Sequence, residues 1–188
     1  MKTRLAQIVA LIALCAQPLC AFPAGTVLGA NDAMLCYRES QMQFGRDPRA
    51  CTDALRNGGL TRRDQAATYS NRGIIYSKMD ELEKALQDQN RAIELMPEMT
   101  QAYINRGNVY FHLRRFDEAL LEYERAIEMK AGPLYLPHFN SGIALLKLKR
   151  DAEAGLAFER ALELAPESER VKKKLAQAKS IVSSSDPE

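Results

Sequence analysis

The chain has 188 residues, 46% of them apolar and 27% charged, which is enough for one domain with a core and excludes a disordered polymer. Its 26 Lys and Arg stand against 24 Asp and Glu. That near balance leaves no surplus of cations to displace counterions from phosphates, so nucleic acid is excluded as a partner.

Residues 1–21 read as a secretory signal peptide: Lys2 and Arg4 form a basic start, 5–16 is apolar except for Gln7, and Ala16 and Ala21 offer cleavage points. Cleavage after Ala21 starts the mature chain at Phe22 and leaves 24 basic against 24 acidic residues. Crossing the hydrocarbon takes about 20 apolar residues, and this run stops at Gln17 and Pro18. No permanent membrane span is expected, and the destination is the periplasm or the exterior.

Residues 22–30 read as a linker and 31–60 as a helical hairpin. Its helices are expected over 31–43 and 47–56, the second opening with Asp47 as N-cap and Pro48 as first residue and closing at Asn57-Gly58-Gly59. Cys36 and Cys51 flank the turn signal at 44–48, so antiparallel helices can bring the two sulfurs together. In an oxidising compartment a disulfide follows, and closing a loop of about 15 residues removes on the order of 3 kcal/mol of unfolded-state entropy. The alternative is two reduced cysteines packed as small apolar residues. There is no Cys-x-x-Cys, which argues against redox chemistry.

From residue 66 the chain repeats itself. Tyr69-Ser70-Asn71-Arg72-Gly73 recurs as Tyr103-Ile104-Asn105-Arg106-Gly107, and Asn140-Ser141-Gly142 repeats its end. Arg91-Ala92-Ile93-Glu94-Leu95, Arg125-Ala126-Ile127-Glu128-Met129 and Arg160-Ala161-Leu162-Glu163-Leu164 keep step, as do Ala85, Ala119 and Ala154. The apolar residues within each unit fall at helical spacing around a short polar break, so each unit reads as two helices joined by a tight turn. Thr61 and Asp64 resemble a capping box opening the first of them, and Pro97 and Pro166 close second helices. Gly73, Gly107 and Gly142 sit mid-helix at a cost of about 1 kcal/mol each, which implies close approach of the partner helix, expected at Ala85, Ala119 and Ala154.

This pattern resembles the tetratricopeptide repeat, in an exported chain of bacterial type, and covers 66–168 as repeats 66–99, 100–133 and 135–168. Three positions depart from it: Gln89 stands where Tyr123 and Phe158 are aromatic, Asp151 where Leu82 and Phe116 are apolar, and Ala131 where Pro97 and Pro166 end a unit. The expected fold is an all-α solenoid of three repeats between the amino-terminal hairpin and a capping helix over 169–182, with Val171, Leu175 and Ile181 inward and Lys172, Lys173 and Lys174 in water. Residues 183–188 are expected to be a disordered tail.

The resemblance implies a concave wall built by the first helix of every repeat and a role in binding peptides. Helical spacing and that geometry nominate as groove residues Ser70, Asn71, Ile74 and Lys78, then Ile104, Asn105, Asn108 and His112, then Phe139, Asn140, Ile143 and Lys147. Asn71, Asn105 and Asn140 form a ladder whose amides can pair with the backbone of an extended peptide or else tie the helices together. Lys78, His112 and Lys147 give one edge a positive character suited to an acidic segment or a carboxylate terminus. No nucleophile elbow, metal-ligand cluster, haem motif or phosphate loop is present, so neither catalysis, cofactor nor metal is expected. The partner is another protein, docked by an adaptor or scaffold of the cell envelope or, alternatively, escorted by a chaperone or pilot protein.

Overall fold

The computed structural model describes residues 24–185, with side chains described from 31 to 184. The expected signal peptide and its cleavage points lie outside the described residues. Among these residues there are helices only: α1 (Ala24–Gln41), α2 (Arg49–Asn57), α3 (Arg62–Lys78), α4 (Leu82–Leu95), α5 (Thr100–His112), α6 (Phe116–Glu128), α7 (Tyr135–Lys147), α8 (Asp151–Leu164) and α9 (Glu169–Ser185). None of them is long and apolar enough to cross a membrane.

Two boundaries differ from expectation by more than two residues. The first helix begins at Ala24, so residues 24–30, read as linker, are helical, and the last runs to Ser185, so 183–185 belong to it rather than to a tail. Both extensions run outward from packed segments, where adding one residue adds one backbone bond without a new nucleation cost.

Local chemistry explains the other ends. Thr61 Oγ1 accepts from the Asp64 amide at 3.1 Å and donates to Asp64 Oδ2 at 2.7 Å, capping α3. At α2 the cap falls one residue later than expected: Pro48 is the N-cap and Arg49 the first helical residue, and Asp47, just outside the helix, accepts from the Arg49 amide through Oδ1 at 3.0 Å. Each repeat turns at a residue with left-handed backbone: Asp80 at φ 64°, Arg114 at 62° and Lys149 at 62°. The next amide then reaches back to the carbonyl of Tyr76, Tyr110 or Leu145 at 2.9, 2.9 and 3.0 Å. This is a Schellman closure without glycine, repeated three times.

Consecutive helices pack as antiparallel neighbours, and the first helices also touch along the stack, α1 with α3, α3 with α5 and α5 with α7. No two second helices are in comparable contact. The stack is therefore shorter along its first helices, which line the inside of its curve.

The mid-helix glycines chiefly admit the residue 16 positions on, and the expected approach to an alanine is seen at Gly73 alone. A Cβ on Gly107 would lie 2.5 Å from the Tyr123 ring, and one on Gly142 2.6 Å from the Phe158 ring. A Cβ on Gly73 would lie 2.5 Å from Gln89 Nε2, with the Ala85 carbonyl at 3.2 Å. All three alanines are fully buried, but only Ala85 is among the nearest neighbours of its glycine, while the rings of Tyr123 and Phe158 take that place at Gly107 and Gly142. Cys36 and Cys51 are disulfide-bonded with Cα atoms 4.6 Å apart, tying α1 to α2.

Candidate functional site

The inner face of α1, α3 and α5 encloses two adjoining cavities of about 500 and 320 Å³ that share Ile74 and Asn105. Of the residues expected there, Ser70, Asn71, Ile74, Lys78, Asn105, Asn108 and His112 line them. Asn140, Ile143 and Lys147 lie further along the stack and line neither.

Two nominated residues do not face the groove. Ile104 and Phe139 are each 3% exposed, Phe139 with its ring 5.6 Å from that of Phe158. Ser70 occupies the same position and is also buried, reaching the groove only at its floor. Adjacent residues on a helix point about 100° apart, so the register that turns Asn71, Asn105 and Asn140 inward turns the residue before each toward its own second helix. Ile143 likewise packs on the core around Phe158 and Val171.

The asparagines tie neighbouring helices together and each reaches back to the preceding first helix. Asn71 Oδ1 accepts from Ser40 Oγ of α1 at 3.3 Å, Asn105 Nδ2 donates to Ser70 Oγ of α3 at 3.0 Å, and Asn140 Nδ2 donates to Asn108 Oδ1 of α5 at 2.9 Å. Ser70 Oγ in turn donates to Gln89 Oε1 at 3.0 Å, and Gln89 Nε2 donates to the Ser70 carbonyl at 2.9 Å. Asn108 Oδ1 also accepts from Tyr123 at 2.9 Å, and burial pushes that phenol above its ordinary pKa.

Structural bonding does not exhaust these amides. Among the described residues Asn71 Nδ2, Asn108 Nδ2 and Asn140 Oδ1 have no partner, and no buried side-chain nitrogen or oxygen is unpaired, so all three atoms reach solvent. Asn105 is committed at both ends, its Oδ1 accepting from Gln101 Nε2 at 3.0 Å.

The positive edge is narrower than its sequence suggests. Lys78 Nζ donates to the carbonyls of Ser40 at 2.7 Å and Met42 at 2.6 Å, closing the carboxyl end of α1, and burial holds its pKa below the ordinary value. His112 and Lys147 remain exposed. Tyr37, Ser40 and Gln41 of α1 complete the wall. The repeats read from the sequence start only at residue 66, and the signal that extends the wall to α1 is Tyr37, one step of 34 before Asn71.

Comparison with known proteins accords with this architecture. Two models described as tetratricopeptide repeat match residues 64–132 and 137–168, together more than half of the chain. The tetratricopeptide domain of Arabidopsis OM64 is similar at 22% identity and a TM-score of 0.60, covering 64% of this chain and 98% of that one. The second such domain of human RPAP3, in complex with the HSP70 peptide SGPTIEEVD, is similar at 24% identity and a TM-score of 0.58, covering 63% and 98%. YrrB, described as having an unusual peptide-binding site, is similar at 26% identity and a TM-score of 0.59, covering 70% and 66%. No curated protein matches the chain. With the period, the paired helices and the glycine contacts in agreement, the chain belongs to the tetratricopeptide repeat family.

Proposed function

We propose that this chain is a non-catalytic adaptor of the cell envelope that holds an extended segment of another protein against α1, α3 and α5. The observation that carries this reading is the set of accessible amide atoms on an otherwise bonded ladder, two donors from Asn71 and Asn108 and an acceptor from Asn140. A peptide backbone needs both kinds of partner whatever its side chains. Ile74, shared by both cavities, supplies apolar contact between the amides. The peptide held by the RPAP3 domain and the peptide site of YrrB support the same use of this fold. The Cys36–Cys51 disulfide suits an oxidising compartment, and a protein recovered from the envelope with Phe22 at its amino terminus would support export.

The test is peptide selection from a displayed library on the mature chain, followed by affinity measurement with Ile74→Asp. A carboxylate placed against the bound chain should weaken binding by about tenfold or more. Unchanged affinity would reject the groove.

A second reading has its own observation. Met34, Leu35, Tyr37, Met42 and Phe44 are exposed on or just beyond α1, Phe44 by 81%, and such a surface suits capture of unfolded chains by a chaperone. A pull-down returning one stoichiometric partner favours the adaptor, and a spectrum of unfolded clients favours the chaperone.

A further inference from the structure

Asp64, Ala67, Asn71, Ile74 and Lys78 follow one another along α3 at steps of three and four, so they form one stripe on its inner face. The two groove cavities lie along the later part of that stripe. A third cavity, of about 470 Å³, lies at its start and shares Tyr37, Ala67 and Asn71 with the one of about 500 Å³. The furrow is therefore continuous from Asp64 to Lys78, roughly 20 Å of helix, a span that an extended chain covers in about six residues.

The third cavity differs in chemistry from the other two. Met34 and Tyr37 of α1 line it while 61% and 52% exposed, and Ala33, Leu60 and Ala67 supply the rest of its apolar lining. The one charged residue lining it is Asp64, whose Oδ2 already accepts from Thr61 Oγ1 at 2.7 Å. Its walls are fixed without a ligand. Cys36, next to Tyr37, is bonded to Cys51 and has its Sγ 3.8 Å from the carbonyl oxygen of Thr68, which also lines the cavity. Asn57 Nδ2 donates to Asp32 Oδ2 at 3.2 Å, and Ser40 donates to Asn71. Large apolar side chains thus stand half in water on a wall that is already ordered, and covering them takes little further ordering. Both α1 and Leu60 precede the repeats, so this cavity is the chain's own addition to the groove.

We propose that this cavity is an anchor pocket for one bulky apolar side chain, leucine, methionine or phenylalanine, of the extended segment held by the asparagines, a role that rests on the peptide groove proposed above. Continuity names the occupant. A backbone bonded to Asn71 Nδ2 passes the junction of the two cavities, and every second side chain of an extended chain points to the same face. Asp64 disfavours an acidic side chain at this end, whereas His112 lies exposed at the other. The bound segment is therefore ordered, with its apolar anchor toward α1 and any acidic residue toward His112.

The test is selection from a displayed library of random octapeptides on the mature chain. The selected peptides should carry leucine, methionine or phenylalanine at one shared position, and alanine there should weaken binding about tenfold or more. Met34 lines this cavity and neither of the other two, so in Met34→Asp, an exposed change, the same peptides should still bind and the alanine replacement should cost less than about twofold. Selected peptides without a shared apolar position, or an anchor effect undiminished in Met34→Asp, would overturn the pocket and leave the groove standing. No enrichment on the unmodified chain would overturn the groove and the pocket with it. A dimer of the chain alone in light scattering, restored to monomer by Met34→Asp, would assign the cavity to a second copy and overturn the proposal as well.

Discussion

The two halves of the stack fill the same space with different chemistry. Beneath Gly73 lies Gln89, fully buried, its amide bonded twice to Ser70, while beside it Asp88 holds Arg72. Beneath Gly142 lies the Phe158 ring, with Phe139, Val171 and Ala178 around it. The repeat therefore sets the volume under the glycine but leaves its chemistry open. A polar filling brings direction: Gln89 orients Ser70, and Ser70 orients Asn105 in the groove. An apolar filling brings packing alone, and the carboxyl-terminal half contributes less to the groove.

The comparison breaks most visibly at Phe158. Phe158→Ala should cost about 3–5 kcal/mol in urea denaturation, through lost burial and the cavity left behind. A cost below about 1 kcal/mol would mean that the carboxyl-terminal half does not depend on this ring.

The arginines of the polar half should differ from each other. Arg72→Ala leaves Asp88 buried without a cation, since their side chains are 17% and 7% exposed, and should cost about 3 kcal/mol. Arg106→Ala leaves Glu122 with Arg125 at 2.9 Å and should cost about 1–2 kcal/mol. Equal losses would show that the second cation does not compensate.

The smallest expected effect is at His138. Burial, then the neighbouring Arg160, hold its pKa below the ordinary 6.5, with Glu163 partly offsetting them. The unfolded chain consequently takes up the proton first, so this residue contributes stability present above about pH 6.5 and lost as pH falls below it. His138→Tyr, matching Tyr69 and Tyr103, should flatten stability between about pH 7 and pH 5 by a few tenths of a kcal/mol. Parallel curves for the two proteins would contradict this.

Much of the fold was legible because its markers recur with residue type and spacing together. Asn71 and Asn105 or Gly73 and Gly107 cannot shift by one without breaking the helical pattern around them. The cap at Thr61 and the disulfide were legible for a local reason, namely short sequence separation, whereas the α2 cap fell on Pro48, one residue after the expected Asp47. The groove was less so. Ile104 and Phe139 share the first helices with true groove residues, and one step of helix rotation decides between groove and core. Lys78 looked like a rim charge because its carbonyl partners, Ser40 and Met42, are 38 and 36 residues away. The function of Gln89 was hidden because its partner Ser70 lies across the repeat's turn.

The central claim is that a foreign peptide lies along the inner faces of α1, α3 and α5. Amide hydrogen exchange of the mature chain, with and without a peptide selected on it, tests that directly. The account predicts slowed exchange concentrated in 37–41, 67–78 and 101–112. Slowed exchange confined to α6 and α8, with those three segments unchanged, would contradict it.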